Sequence, residues 1–203
     1  IAKLLAAKMN CIYLDTGAMY RTVGLLAVRT NTDRHDDAAL AELLKNADIR
    51  VLRVDGSQHM ALGGEDVETL IRTPEISMAA SDVASCPSVR RALVALQQKI
   101  AAGCDVVMDG RDIGTRVLPD ADYKFFLTAS DKVRAQRRYD ELKTKGESVT
   151  LQEVLEDVRR RDEQDTTRAE SPLTIADDAT EVETDDLGID EVVTVLMALM
   201  GRF

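Results

Sequence analysis

Short apolar runs in this chain keep handing over to helical patterns, and that order restricts the fold more than any other feature. "CIYLD" (Cys11 to Asp15) leads into a helical pattern from about Ala18 to Arg29. A helix from about Val89 to Ala102, with Leu93, Leu96 and Ile100 on one face and Gly103 as its stop, precedes "DVVMD" (Asp105 to Asp109). "YKFFLT" (Tyr123 to Thr128) leads into a helix from about Asp131 to Lys143. "TEVET" (Thr180 to Thr184) precedes a last helix, Asp190 to Met200, with Val192, Val193, Leu196 and Leu199 inward and Gly201 ending it. Strands that alternate with helices predict an α/β fold, a parallel sheet with helices on both faces. The opening "IAKLLAAKM" already reads as helix, with Ile1, Leu4 and Leu5 on one face. A helix that starts at residue one has neither cap nor preceding strand, so something upstream is expected.

Two segments break the alternation. Ile49 to Leu70 alternates with period two around "DG" and "GG" turns, which predicts a small inserted antiparallel sheet. Glu141 to Thr150 is polar and joins two helices; the second opens with Thr150-x-x-Glu153, a capping box, and is expected to run to about Asp165. A charged helical hairpin on an α/β core is the usual shape of a mobile lid.

The length of 203 residues suits one domain with a substantial core. The net charge of −10 argues against general nucleic-acid binding. No apolar run approaches the roughly 20 residues of a membrane span, and no secretory signal is visible. Cys11, Cys86 and Cys104 lack metal-type spacing and read as reduced thiols of a cytoplasmic protein. Met78, Met108, Met197 and Met200 read as core, and His35 and His59 as surface. Of 26 basic residues 18 are arginine, whose planar fork grips phosphate or carboxylate at two points, although genome base composition also enriches arginine.

Ligands of open parallel sheets bind beyond the carboxyl ends of the strands, where three segments carry candidate chemistry. In "LDTGAMYR", Asp15 ends a strand and Thr16 and Gly17 form the turn. Thr16 either caps the helix or meets a ligand. Arg21 is expected in the first helical turn, where the dipole disfavours a cation unless an anion sits at the helix start. "VVMDGRDIGTR" drives an apolar strand into Asp109, Gly110, Arg111 and Asp112. It is either a strand with a polar turn or a site: Asp109 near metal-bound phosphates, Gly110 and Gly114 admitting a ligand, Arg111 a phosphate fork, and Asp112 accepting from a base or an arginine. In "RRRDEQDTTR", Arg161, Asp165 and Arg168 fall at i, i+4 and i+7, on one face of a helix that "SPL" then ends. A solvated face laced with ion pairs fits that spacing too. Ser81 reads by default as packing within a small-residue helix, and Arg90 opens the next helix.

Taken together, "YLDTGAMYR", "GEDV…IRTPE", "VMDGRDIGT", "FLTAS…RAQRRY" and "RRDEQDTTRAESPL" resemble the bacterial cytidylate kinases, in order and over essentially the whole chain. The resemblance implies a parallel-sheet P-loop kinase core with an antiparallel-sheet nucleoside monophosphate (NMP)-binding insert and a helical lid. It implies a single kinase domain over 1–203, with core at 1–17, 93–133 and 166–203, insert at 18–92 and lid at 134–165. The family's Gly-rich Walker loop, which binds ATP, is expected upstream of Ile1 and is absent here, through mobility or truncation. A protein truly lacking it is expected to be inactive. The implied donor is ATP with Mg²⁺ carried on it, no metal being held directly by the protein. The implied acceptor is CMP or dCMP; no nucleic acid or membrane is involved, and a cytoplasmic monomer is expected.

By the same resemblance, Arg21, Arg111 and Arg168 hold the CMP phosphate. Ser81, Arg90 and Asp112 read the cytosine edge, Asp165 binds the ribose hydroxyls, and Thr16 contacts the nucleotide. Arg72 is an insert-sheet or hinge contact. Arg134, Arg137, Arg138 and Arg161 are lid arginines, and Arg111, Arg137, Arg161 and Arg168 make the catalytic set. The alternatives are a related kinase acting on AMP, UMP or a small metabolite such as shikimate, and a non-catalytic nucleotide-binding form. The antiparallel insert argues against the metabolite kinases, and the Ser81–Arg90–Asp112 set favours a pyrimidine with an amino group.

Overall fold

A computed structural model describes residues 1–54, 57–168 and 170–202. It divides into two compact units, one over Ala2–Leu118 and one over Pro119–Phe203, with Ile1 grouped with the latter.

In the first unit, helix α1 (Ala2–Met9) leads to strand β1 (Ile12–Asp15) and helix α2 (Thr16–Arg29). Helix α3 (Asp37–Lys45) follows, then β2 (Ile49–Val54), β3 (Ser57–Leu62) and β4 (Glu65–Asp66). A 3-10 turn (Leu70–Arg72) precedes α4 (Pro74–Val83), α5 (Pro87–Ala101) and β5 (Val106–Asp109). A π-helical turn, Ile113–Val117, closes the unit.

β1 and β5 pair in parallel, Leu14 opposite Met108 and Asp15 opposite Asp109. β2, β3 and β4 form a separate antiparallel sheet. Its "DG" turn, Asp55–Gly56, lies outside the described residues; its "GG" turn places Gly63 at φ +59 and Gly64 at φ +84, which glycine adopts without a Cβ clash. Leu14, Met19, Val23, Leu40, Met60 and Leu93 are among the core side chains, and Leu96 and Ile100 pack against them as the helical spacing predicts. Met78, expected inside, is 52% exposed. Ile76, Ala79, Ala80 and Val83 take the inward face of α4, and Met78 stands about 200° around the helix from Ile76.

The second unit holds a second parallel pair, β6 (Phe125–Thr128) with β7 (Thr180–Glu183). The parallel pairing expected from the alternation is thus present as one two-stranded pair in each unit. Helices α6 (Asp131–Thr144) and α7 (Leu151–Thr167) make the expected charged hairpin, and Thr150 forms the full capping box with Glu153. Arg134 grips Asp162 through two bonds of 2.7 and 2.6 Å, and Arg159 reaches Asp131 at 2.7 Å, tying the two helices together. In α8 (Ile189–Leu199), Val192, Val193 and Leu196 are buried, but Leu199 is 51% exposed. The buried residue there is Met200, at the helix end beside Gly201 with its φ of +67. Among the described residues no helix is long and apolar enough to cross a membrane.

Gly24 sets the approach of α2 to α4. A Cβ there would lie 3.0 Å from the Ala80 amide nitrogen and 3.1 Å from Ala79 Cβ, so backbone would have to yield. Gly24→Ala is expected to cost about 1–3 kcal/mol by overpacking. Thermal unfolding should show a Tm several degrees lower.

Candidate active site

The parallel register of β1 and β5 delivers Asp15 and Asp109 side by side at the carboxyl ends of their strands. Asp15 is bonded from several directions. Its Oδ1 accepts from the Ala18 amide at 2.8 Å and caps α2. Its backbone N–H donates to Gln58 Oε1 at 2.7 Å, and its carbonyl accepts from Gln58 Nε2 at 3.2 Å. Its Oδ2 accepts from Arg21 and from Arg72, each at 2.9 Å.

This arrangement corrects two expectations. Thr16 is not the cap, because Asp15 has taken that position and the helix starts a residue or two earlier than the apolar pattern suggests. The Thr16 hydroxyl instead donates to the Asp109 carbonyl at 2.7 Å, linking the two strand ends. Arg21 therefore lies in the second helical turn rather than the first, and the anion beside it is the carboxylate of Asp15.

A side chain would be crowded at two places here, most severely at Gly110. A Cβ on Gly110 would lie 2.7 Å from Thr16 Oγ1 and 2.8 Å from Ile113 Cδ1. A Cβ on Gly17 would come within 3.1 Å of Arg21 Nη1 and 3.2 Å of Asp15 Oδ1. Arg111, one step beyond Gly110, is exposed.

Tyr13, two residues before Asp15 and so on the same side of β1, hydrogen-bonds the Asp109 side chain. Burial, then the charges of Asp109 and Asp15, push its phenol far above the ordinary range, so it remains a donor. Asp109 is exposed as a residue, yet the protein packed around it limits its hydration. That desolvation, then the Asp15 charge, raises its carboxyl pKa against the pull of Tyr13 and Arg111.

Asp112 and Arg90 form an ion pair with both side chains buried. Arg90 also donates to the Ala84 carbonyl at 3.1 Å and stands over the Tyr20 ring, 5.6 Å from its centre. Its Nε is buried and has no partner among the described residues. Ser81 is exposed rather than packed, because the neighbouring inward positions of α4 belong to Ala79, Ala80 and Val83. Its hydroxyl lies 3.5 Å from the Ser77 carbonyl.

In the second unit the expected single face of Arg161, Asp165 and Arg168 is broken. The helix ends at Thr167, and Arg168 turns to extended backbone, φ −61 and ψ 143. Arg168 still reaches Asp165 at 3.2 Å, and its Nε donates to the Ser171 carbonyl at 2.8 Å. Arg161 pairs back with Asp157 at 3.2 Å instead of forward with Asp165. Arg137 donates to the Thr184 and Leu187 carbonyls at 2.5 and 3.1 Å, and Arg138 to Glu141 at 2.7 Å.

Sequence reasoning missed Tyr13 and Gln58. The i, i+2 relation of Tyr13 to Asp15 was a usable signal; Gln58 carries none, since its contact spans 43 residues.

The chain matches the cytidylate kinase family over residues 1–202. It belongs to that family. It is 47% identical over 202 residues to the cytidylate kinase of Caldicellulosiruptor bescii, covering 100% of this chain and 89% of that one. With the cytidylate kinase of Caldanaerobacter subterraneus subsp. tengcongensis the identity is 50% over 193 residues, 95% of this chain and 84% of the other. With that of Bacillus subtilis it is 46% over 192 residues, 95% and 86% of the two chains.

Asp112→Ala would strand a buried guanidinium and is expected to cost about 3–5 kcal/mol, read from the urea midpoint. Asp109→Asn should act in the opposite direction. A carboxyl whose folded-state pKa is raised opposes folding once it ionises. The variant should therefore have the higher Tm at neutral pH. The gain should vanish below the ordinary carboxyl range, where both side chains are neutral in both states.

Proposed function

We propose that this chain transfers the terminal phosphoryl group of ATP to CMP or dCMP, giving CDP or dCDP. The observation that carries this reading is the strand-end cluster, where Arg21 pairs with Asp15, Thr16 bonds the Asp109 carbonyl and Gly110 packs against Thr16, on positions that carry the family's motifs. Phosphoryl transfer asks little covalent chemistry of a protein; it asks for in-line positioning and cations on the equatorial oxygens. No general base is needed, since the acceptor phosphate is already an anion.

Arg21 and Arg111 grip the acceptor phosphate, and Arg168 is a third residue of that set. The Asp112 carboxylate accepts from the cytosine 4-amino group, while Arg90 and Ser81 complete the recognition of the base edge. A keto group in place of that amine would face a carboxylate, which disfavours uracil. Asp165 holds the ribose hydroxyls, and Thr16 touches the nucleotide. Arg111, Arg137, Arg161 and Arg168 stabilise the charge on the transferring group. To do so, Arg137 must give up its carbonyl acceptors at Thr184 and Leu187. Residues 18–92 act as the NMP-binding insert and 134–165 as the lid, in one cytoplasmic, monomeric kinase domain.

Mg²⁺ enters with ATP. Among the described residues no three His, Cys, Asp or Glu side chains gather as for a resident ion. Asp109, at the strand end, stands near the metal-bound phosphates, while Asp15 is already held by two arginines. The ion supplies charge neutralisation on the phosphates. The overall negative charge does not repel the substrates at the site, because screening limits remote acids to about 8 Å at physiological salt.

A panel of nucleoside monophosphates in an ADP-release assay tests the acceptor. CMP and dCMP should lead, and AMP outperforming CMP would overturn the reading. Arg111→Ala should lower kcat/KM for CMP by about tenfold or more, the effect of one charge-assisted contact. An unchanged value would remove Arg111 from the site.

A further inference from the structure

One oxygen, Oδ2 of Asp15, accepts from two guanidinium groups at 2.9 Å each. They come from separate elements, Arg21 from α2 and Arg72 from the 3-10 turn. A single anionic oxygen between two arginine forks is also how phosphate oxygens are held. The two forks therefore stand close enough to share one acid.

Arg72 is placed with more care than a hinge contact requires. Its Nη1 donates to Asp15, and its Nε and Nη2 both donate to Glu68 Oε1. Glu68 is anchored in turn, its other oxygen accepting from the Met60 amide at 3.3 Å. These bonds use three of the five N–H groups of a guanidinium and leave one on each terminal nitrogen. The Arg72 side chain is 46% exposed, against 21% for Arg21, so it is open to a solute. Arg21 meets Asp15 through its Nη2. Two fixed forks with N–H groups to spare, joined by one carboxylate, make a receptor for a phosphomonoester.

We propose that Arg72 is a further acceptor-phosphate residue, held beside Arg21 by the Asp15 carboxylate they share. This rests on the CMP-phosphorylating reading given above. Asp15 keeps both forks aligned before substrate arrives, and the outer N–H groups of Arg72 meet an oxygen of the acceptor phosphate. Cytidine, which lacks that phosphate, gains nothing from Arg72.

Calorimetry with CMP and with cytidine, on the full chain, separates the possibilities. Arg72→Gln should weaken CMP about tenfold and leave cytidine unchanged, because one charge-assisted contact is lost. Arg72→Lys keeps the charge without the fork and should fall between; it supplies the reading if the Gln variant does not fold. In an Arg21→Gln background, Arg72→Gln should still weaken CMP, since a direct contact does not act through Arg21. An unchanged CMP affinity, an equal loss for cytidine, or a loss that disappears in the Arg21→Gln background would each overturn the proposal and leave the acceptor assignment standing. Wild-type protein that binds CMP no better than cytidine would overturn both.

Discussion

The carboxylate of Asp15 is the point on which the first unit's strand-end cluster turns. It ends β1, starts α2 and anchors two arginines, and its backbone is gripped by Gln58 of the antiparallel sheet. Gln58 and Arg72, 43 and 57 positions away, thus converge on one residue. The parallel pair, the long helix and the antiparallel sheet all meet at this corner on the same residue. A carboxylate suits the place because it accepts several bonds at once and carries the charge that arginines need when partly withdrawn from water.

The Arg90–Asp112 pair solves a different problem. Buried ions are costly unless paired, and this pair is enclosed, with the Tyr20 ring over the guanidinium. Its burial fixes the direction of both side chains before any ligand is present. Preorganised polar groups lose little freedom on binding, which favours selectivity over flexibility. The arginines of the α6–α7 hairpin contrast with this, since Arg134, Arg138 and Arg161 are held by carboxylates near the surface. Such pairs are weak and readily exchanged.

Strands and helices were largely legible in the sequence because their signals are local. Apolar runs, the Thr150 capping box and the Gly63–Gly64 turn each depend on a few neighbouring residues. Errors came where local periodicity meets an end. Leu199 belongs to the apolar pattern, but the helix stops there and Met200 takes the inside; Arg168 fits the helical spacing, but the backbone has already turned. The candidate site was legible as a set of motifs and not as a set of contacts. Which arginine would meet which acid depends on register and on chain packing across tens of residues, as with Arg72 and Asp15, 57 positions apart. Buried apolar positions announce themselves by pattern, whereas polar partners are chosen by geometry that no single segment encodes.

The close fit at Gly110 has a further consequence for how this chain can vary. From Asp109 to Asp112 the backbone must let the Thr16 hydroxyl reach a carbonyl, pass Ile113 without a side chain in the way, and bring a carboxylate to Arg90. Adding or deleting one residue there would displace the Asp112 carboxylate from Arg90, so a change of length in this segment is costly. The connection between α6 and α7 is free of such demands, with Gly146 at φ +80 and open space around its missing Cβ. Natural variation in chain length should gather in that connection and leave the strand end untouched.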